Sequence, residues 1–202
     1  MNSQESPEVL ELFSRIKSCA PNVVAFAGVV FRSVGLRFAN EADILSGDGA
    51  ATFGGRWSPR RLSAVYMSLK VETATLESYQ NLRKAGFRPE DFRPRLLIGA
   101  RVKFCRLLDL TGAATRRRIG FTLGELIEED WSAIQQSGEE SWTQAIGRGC
   151  HTAGFEGLIA PSARDRQRGK NLVYFPNQLD ESSRVELLGR EDLPPASHGG
   201  GR

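Results

Sequence analysis

The chain has 202 residues, 40% of them hydrophobic, which is enough for one sizeable core and argues for a single domain with short appendages. A net charge of +3 is mild. No apolar run approaches the roughly 18 residues that a membrane-spanning helix needs, since the longest, Val23 to Phe31, is broken by Gly28. The N-terminus, MNSQESPEVLELF, lacks the basic start and apolar middle of a secretory signal, so a soluble, cytoplasmic protein is expected.

Three widely spaced cysteines, Cys19, Cys105 and Cys150, read as free thiols in a chain large enough to need no covalent staple. Five of the 27 basic residues are lysine (Lys17, Lys70, Lys84, Lys103, Lys170) and the other 22 are arginine. That bias favours planar, bidentate recognition of phosphate or carboxylate.

In chain order, Ser6 to Cys19 predicts an amphipathic helix, with Ser6 as cap, Pro7 in the first turn and Val9, Leu12, Phe13 and Ile16 at helical spacing. Val23 to Arg32 predicts a buried strand ending on Arg32. From about Leu36 to Ser63 the sequence reads as one long loop carrying Ser46-Gly47-Asp48-Gly49 and Gly54-Gly55-Arg56-Trp57. Loops of that length are uncommon unless functional.

Ser63 to Ser68 reads as a short strand, and Lys70 to Lys84 as a helix with Ala74, Glu77 and Asn81 on one stripe. Leu96 to Val102 and Arg106 to Leu110 are two further strand candidates. Thr122 to Asp130 and Ser141 to Ala153 read as helices, the second ending at Gly154. Gly157 to Ala160, Asn171 to Phe175 and Arg184 to Leu188 are the last predicted strands, and Pro194 onward is a tail without core-forming residues. The expected division is an N-terminal helix (1–22), one domain (23–192) and a flexible tail (193–202). Strands and helices are interspersed without regular alternation, which predicts a mixed α+β fold.

Histidine is nearly absent. With only His151 and His198, a Ser-His-Asp triad, a Cys-His pair or a histidine-rich metal site is improbable, and no metal is expected. His151 beside Cys150 is read as structural. No Walker loop and no Gly-x-Gly-x-x-Gly between a strand and a helix is present, so a nucleotide would have to be held by arginine side chains and loop amides.

Four local patterns remain, each with a bland alternative. Arg32 ends a strand, where an arginine is usually a surface residue. Gly54-Gly55-Arg56-Trp57-Ser58-Pro59 lets backbone approach a ligand with Arg56 and Trp57 beside it, or is a tight turn with Trp57 as a core anchor. Tyr66 lies in an apolar strand, and Glu77 on an inner helix stripe needs a partner, for which Arg32 or Arg56 is the natural choice, whether in a site or in a structural ion pair. Ser162, in Pro161-Ser162-Ala163-Arg164, has no histidine to activate it; it is a substrate contact or part of an ordinary loop.

Taken together and in order, these patterns resemble the RES family, named for an arginine, a glutamate and a serine. The resemblance runs through Phe31-Arg32, Leu45 to Gly49, Phe53 to Trp57, Val65 to Ser68, Ala74 to Glu77, Leu108 to Leu110, Gly157 to Arg164 and Asn171 to Val173, covering about residues 26 to 190. It implies a toxin of a toxin–antitoxin pair that degrades NAD+ at the nicotinamide–ribose bond, by glycosyl transfer to phosphate or by hydrolysis, on a fold similar to ADP-ribosyltransferase toxins. It further implies catalytic Glu77, Arg32 and Arg56, substrate contacts from Tyr66, Ser162, Trp57 and Asn171, and no cofactor, with NAD+ as substrate and phosphate as possible co-substrate. The implied partner is an Xre-like helix-turn-helix antitoxin that blocks the active site, in a complex that could contain more than one toxin. The chain departs from the family pattern at Ser33 and Ser58, where relatives often carry tyrosine and asparagine.

Two other readings stay open. One is a protein ADP-ribosyltransferase using the same residues. The other is an RNA-directed or nucleic-acid-binding toxin, suggested by Arg116-Arg117-Arg118 and by Arg164, Arg166, Arg168 and Lys170, although such runs usually lie on solvated faces and no direct nucleic-acid contact is expected.

Overall fold

The computed structural model of the chain describes residues 5–84, 86, 88, 94–165 and 169–193. The side chain of Asn81, the residues Arg166 and Arg168, and the tail from Pro194 lie outside the described residues. Helix α1 (Pro7–Lys17) begins as expected, with the Ser6 side chain accepting the Val9 N–H and Pro7 in the first turn. Its Leu12 and Ile16 enter the same core as Leu108, Ile146 and Phe175, so this helix is built into the domain and is not an appendage to it.

Strand β1 (Val24–Gly35) is followed by helices α2 (Glu41–Ser46) and α3 (Asp48–Phe53), then β2 (Val65–Ser68), α4 (Val71–Lys84) and β3 (Arg95–Asp109). The expected loop from 36 to 63 therefore contains two helices. Asn40 caps α2 through the Asp43 N–H, and Gly47, at φ 75°, closes α2 and opens α3. Six-residue helices complete less than two turns, too few for a 3.6-residue pattern to emerge.

The two strands expected between Leu96 and Leu110 are one. Its inward phase (Ile98, Ala100, Val102, Phe104) is broken where β3 takes an extra residue against Val24 to Phe26 of β1. The amides freed at that bulge, Cys105 and Arg106, donate to the buried carboxylate of Glu156 at 2.6 and 2.7 Å. Four helices follow, α5 (Ala113–Ile119), α6 (Leu123–Glu128), α7 (Trp131–Gln136) and α8 (Trp142–Thr152); then come β4 (Gly157–Pro161), β5 (Lys170–Tyr174) and β6 (Arg184–Leu187). The helices α5 and α7 had no sequence signal strong enough to predict them.

All six strands belong to one mixed sheet in the order β1-β2-β5-β4-β3-β6, and β1 also pairs with β3 along almost its whole length, so five strands close on themselves. The architecture is thus mixed α+β, as expected, with one curled sheet and not several. Val30, Met67, Phe104 and Leu172 pack on one face; Trp57, Leu158, Val173 and Phe175 pack on the other, under α1 and α8. The seam between β1 and β2 is held by one pairing, Phe31 with Ser68. Among the described residues no helix is long and apolar enough to cross a membrane.

Candidate active site

A cleft of about 810 Å³ opens at that seam. Its walls come from β1, β2, α3, the turn after α3, α4, α7 and the loop after β4. The volume lies in the range of small-ligand sites.

The carboxylate end is built on α4. Thr73 and Glu77 are four residues apart and so share a stripe. Thr73 Oγ1 donates to Asp165 Oδ2 at 2.6 Å, and Glu77 Oε1 accepts from Ser162 Oγ at 2.6 Å and from Asn171 Nδ2 at 2.7 Å. Asn171 is aligned in turn by Ser68, its direct partner across β2 and β5, whose hydroxyl donates to Asn171 Oδ1 at 2.8 Å. The chain Ser68–Asn171–Glu77–Ser162 fixes one carboxylate oxygen, Oε1, and among the described residues Oε2 has no hydrogen bond.

One expectation changes here. The hydrogen-bond partners of Glu77 are a hydroxyl and an amide, not an arginine, and Arg56 interacts with it only through space. Ser162, 4% exposed, donates to Glu77 and accepts the Arg164 and Asp165 amides at 3.1 and 2.9 Å.

The opposite wall is the Gly54-Gly55-Arg56-Trp57-Ser58 turn. Gly55 and Ser58 bond each other through both backbone pairs, which puts Arg56 and Trp57 at the tip. Tyr66 holds this turn from below, its hydroxyl accepting the Trp57 N–H at 2.8 Å and sharing a 2.9 Å bond with Ser58 Oγ. Both glycines are required: Gly54 has φ 76° and a Cβ there would meet Gln135 Oε1 at 1.9 Å, while one on Gly55 would meet the Tyr66 hydroxyl at 2.5 Å. Burial pushes the Tyr66 phenol up to about 12, against smaller opposing effects of its bonds to Ser58 and Trp57 and of nearby Arg56.

Trp57 borders the cleft, is 2% exposed and packs in the core with Leu158 and Phe175. Ser58, buried against Tyr66, shows why serine serves at this position.

Arg56 turns into the cleft, where Nη1 donates to the carbonyls of Leu126 and Glu129 at the end of α6 at 3.0 and 3.1 Å. Burial, then the nearby Arg164 charge, pull its pKa below the ordinary value, opposed by Glu129, Glu77 and Tyr66. Arg32 has the inward phase of Val30 and Val34 and so lies on the other face of β1 from Phe31, the partner of Ser68. It reaches the cleft floor while donating to the Ile44 carbonyl of α2, and burial lowers its pKa. Arg95 and Arg164 also line the cleft. Among the described residues no carboxylate forms an ion pair with Arg32 or Arg56. A half-buried guanidinium without a carboxylate is costly, and an anionic ligand would supply the missing charge.

A family model described as RES domain matches residues 29–194. The chain belongs to the RES domain family. It is 30% identical over 149 residues, 72% of this chain and 76% of theirs, to proteins named NAD(+) phosphorylase MbcT from Mycobacterium bovis and Mycobacterium tuberculosis. Its fold is similar to a chain in the crystal structure of the M. tuberculosis MbcT–MbcA toxin–antitoxin complex, with a TM-score of 0.68 and 24% identity over 88% of this chain and 89% of that one.

Within this RES domain, sequence reasoning passed over Arg95, Phe53 and Trp131, which line the cleft from β3, α3 and α7. Only the proximity of Phe53 to Gly54-Gly55 offered a signal. The arginine run 116–118 is partly engaged within the chain, since Arg116 donates to the Leu110 and Thr111 carbonyls and the exposed Arg118 to the Ser18 carbonyl and Asn22 Oδ1. His151 stands edge-on to Phe175 and bonds Gln178, outside the cleft lining. Among the described residues no cluster of three or more His, Cys, Asp or Glu is placed to hold a metal ion.

Proposed function

We propose that this RES domain consumes NAD+ by transferring its ADP-ribosyl group to inorganic phosphate, as the toxin of a toxin–antitoxin pair in the cytoplasm. The observation that carries this reading is the presence in one cleft of a carboxylate locked by Ser162 and Asn171 and of Arg32 and Arg56, which have no carboxylate partner among the described residues. The names of the relatives favour phosphate over water as acceptor.

The bond between the anomeric carbon and the nicotinamide nitrogen breaks with its electron pair going to the ring, which neutralises the pyridinium. No proton need reach the leaving group, which agrees with a site without histidine. Glu77 Oε2 faces the positive charge that develops on the ribose, or a ribose hydroxyl. A phosphate oxygen forms the new bond to carbon, giving nicotinamide and ADP-ribose phosphorylated at the anomeric carbon, and the proton carried by the phosphate stays on the product or passes to solvent. Arg56 and Arg164 hold the pyrophosphate. Arg32 adds positive charge beneath it, and Tyr66 orients the Arg56 turn.

The likeness to ADP-ribosyltransferase toxins is part of the same proposal, as is an Xre-like antitoxin that covers the cleft and could gather more than one toxin. The test is incubation of the purified protein with NAD+, with and without inorganic phosphate, followed by chromatography. Free nicotinamide and a phosphorylated ADP-ribose appearing only with phosphate are expected. Phosphate-independent release means hydrolysis, a labelled protein band means protein ADP-ribosylation, and intact NAD+ under every condition overturns the proposal.

A further inference from the structure

One part of the cleft lies beyond the residues given a role above. Phe53, the last residue of α3, is 71% exposed while lining the cleft, so its ring face is open to whatever enters there. Across from it α7 brings Trp131, Ser132 and Gln136 to the lining. The two walls are tied together: Gln135 Nε2 donates to the Phe53 carbonyl at 2.9 Å, and Trp131 is one helical turn from Gln135. Gln135 is itself held by Gln144, whose amide donates to Gln135 Oε1 at 2.8 Å and to the Gly55 carbonyl at 3.2 Å.

Phe53 lies three residues before Arg56, across the Gly54-Gly55 turn, while Ser162 and Asn171 hold Glu77. One cleft therefore carries two aromatic side chains, several arginines and the locked carboxylate. A dinucleotide offers the matching set of a purine ring, a pyrophosphate and the ribose at which the bond breaks. Gln136, also in the lining, donates through Nε2 to Ser132 Oγ at 3.3 Å and keeps its carbonyl oxygen as a further acceptor. An adenine edge offers donor and acceptor groups to such a side chain.

We propose that Phe53 and Trp131 form the binding site for the adenine ring of the substrate, with Gln136 at its edge, so that this end of the cleft sets affinity for a dinucleotide and leaves the chemistry untouched. The inference rests on the NAD+ reading. Stacking of a base on an aromatic side chain is sequence-independent and strong enough to matter, and removing it weakens binding by roughly five- to hundredfold.

The test compares NAD+ with nicotinamide mononucleotide, which keeps the scissile bond and lacks the adenosine half. In saturating phosphate, Phe53→Ala in the full chain is expected to raise KM for NAD+ by about tenfold with kcat nearly unchanged, and to leave KM for the mononucleotide where it was. Phe53→Tyr should restore the NAD+ value. Phe53 is exposed enough that its loss should not unfold the protein; Trp131→Ala and Trp131→Phe repeat the comparison on the other wall, with thermal melting as the control. An unchanged KM for NAD+ in Phe53→Ala overturns the site and leaves the ring as a surface for a protein partner. Equal losses for both substrates overturn it too. If the unaltered protein cleaves neither substrate, it is the NAD+ reading that has failed.

Discussion

The two ends of the cleft satisfy their charged groups in opposite ways. At α4, the Glu77 carboxylate takes its hydrogen bonds from Ser162 and Asn171, each held by a further partner. At the Gly-Gly-Arg-Trp turn, side chains are spent on holding backbone: Tyr66 on Trp57, Gln144 on Gly55, Arg56 on α6. Among the described residues, Arg32 and Arg56 have no carboxylate partner. The difference teaches that one end is held by the protein's own side chains, whereas an anion at the other would complete the electrostatics of the arginines.

The comparison breaks most sharply at Glu77. Glu77→Gln keeps the shape and can still accept from Ser162, so a fall of about 10²–10³ in nicotinamide release with an unchanged melting temperature is expected. A variant with full activity would mean that the locked end is only structural. Ser162→Ala removes one support of the carboxylate and the anchor of two loop amides. A loss of kcat on the order of tenfold to a hundredfold should follow, with KM nearly constant and stability lower by about 1–2 kcal/mol. A large rise in KM would instead make Ser162 a substrate contact.

At the other end Arg56→Lys should behave differently, raising KM for NAD+ by about thirtyfold, equivalent to roughly 2 kcal/mol lost from a charged hydrogen bond. The same substitution should abolish the rise in melting temperature that inorganic pyrophosphate gives to the unaltered protein. Pyrophosphate stabilising both proteins equally would show that Arg56 is a strut and not a clamp.

The smallest effect concerns Tyr66. Its phenol is raised to about 12 in the fold from an ordinary value of 10, so the stability it contributes is complete below pH 10 and is lost as pH climbs through 12. Denaturant melts across that window should fall less steeply for Tyr66→Phe than for the unaltered protein. Identical slopes would mean that the hydroxyl under the turn is not as sequestered as its bonds indicate.

Local chemistry made much of this fold legible. Ser6 and Pro7 announced α1, the β-branched run from Val23 announced β1, and Glu77 stood on the stripe with Ala74 that faces the sheet. What stayed hidden depends on partners distant in the chain. Glu77 meets Ser162 and Asn171 across 85 and 94 residues, and nothing in its own neighbourhood distinguishes those partners from an arginine. The phase of Arg32 could have been read, because it alternates with Val30 and Val34, but that two-residue pattern says which face it occupies and not that a cleft opens there. Short helices such as α3 and α7 bring Phe53 and Trp131 to the site with too few turns to leave a periodic trace.

The single rung between Phe31 and Ser68 gives the curled sheet an uneven stiffness. Everywhere else around the belt adjacent strands are laced by three or more rungs. Separating the walls at this seam would break one pairing and leave the register within each wall intact.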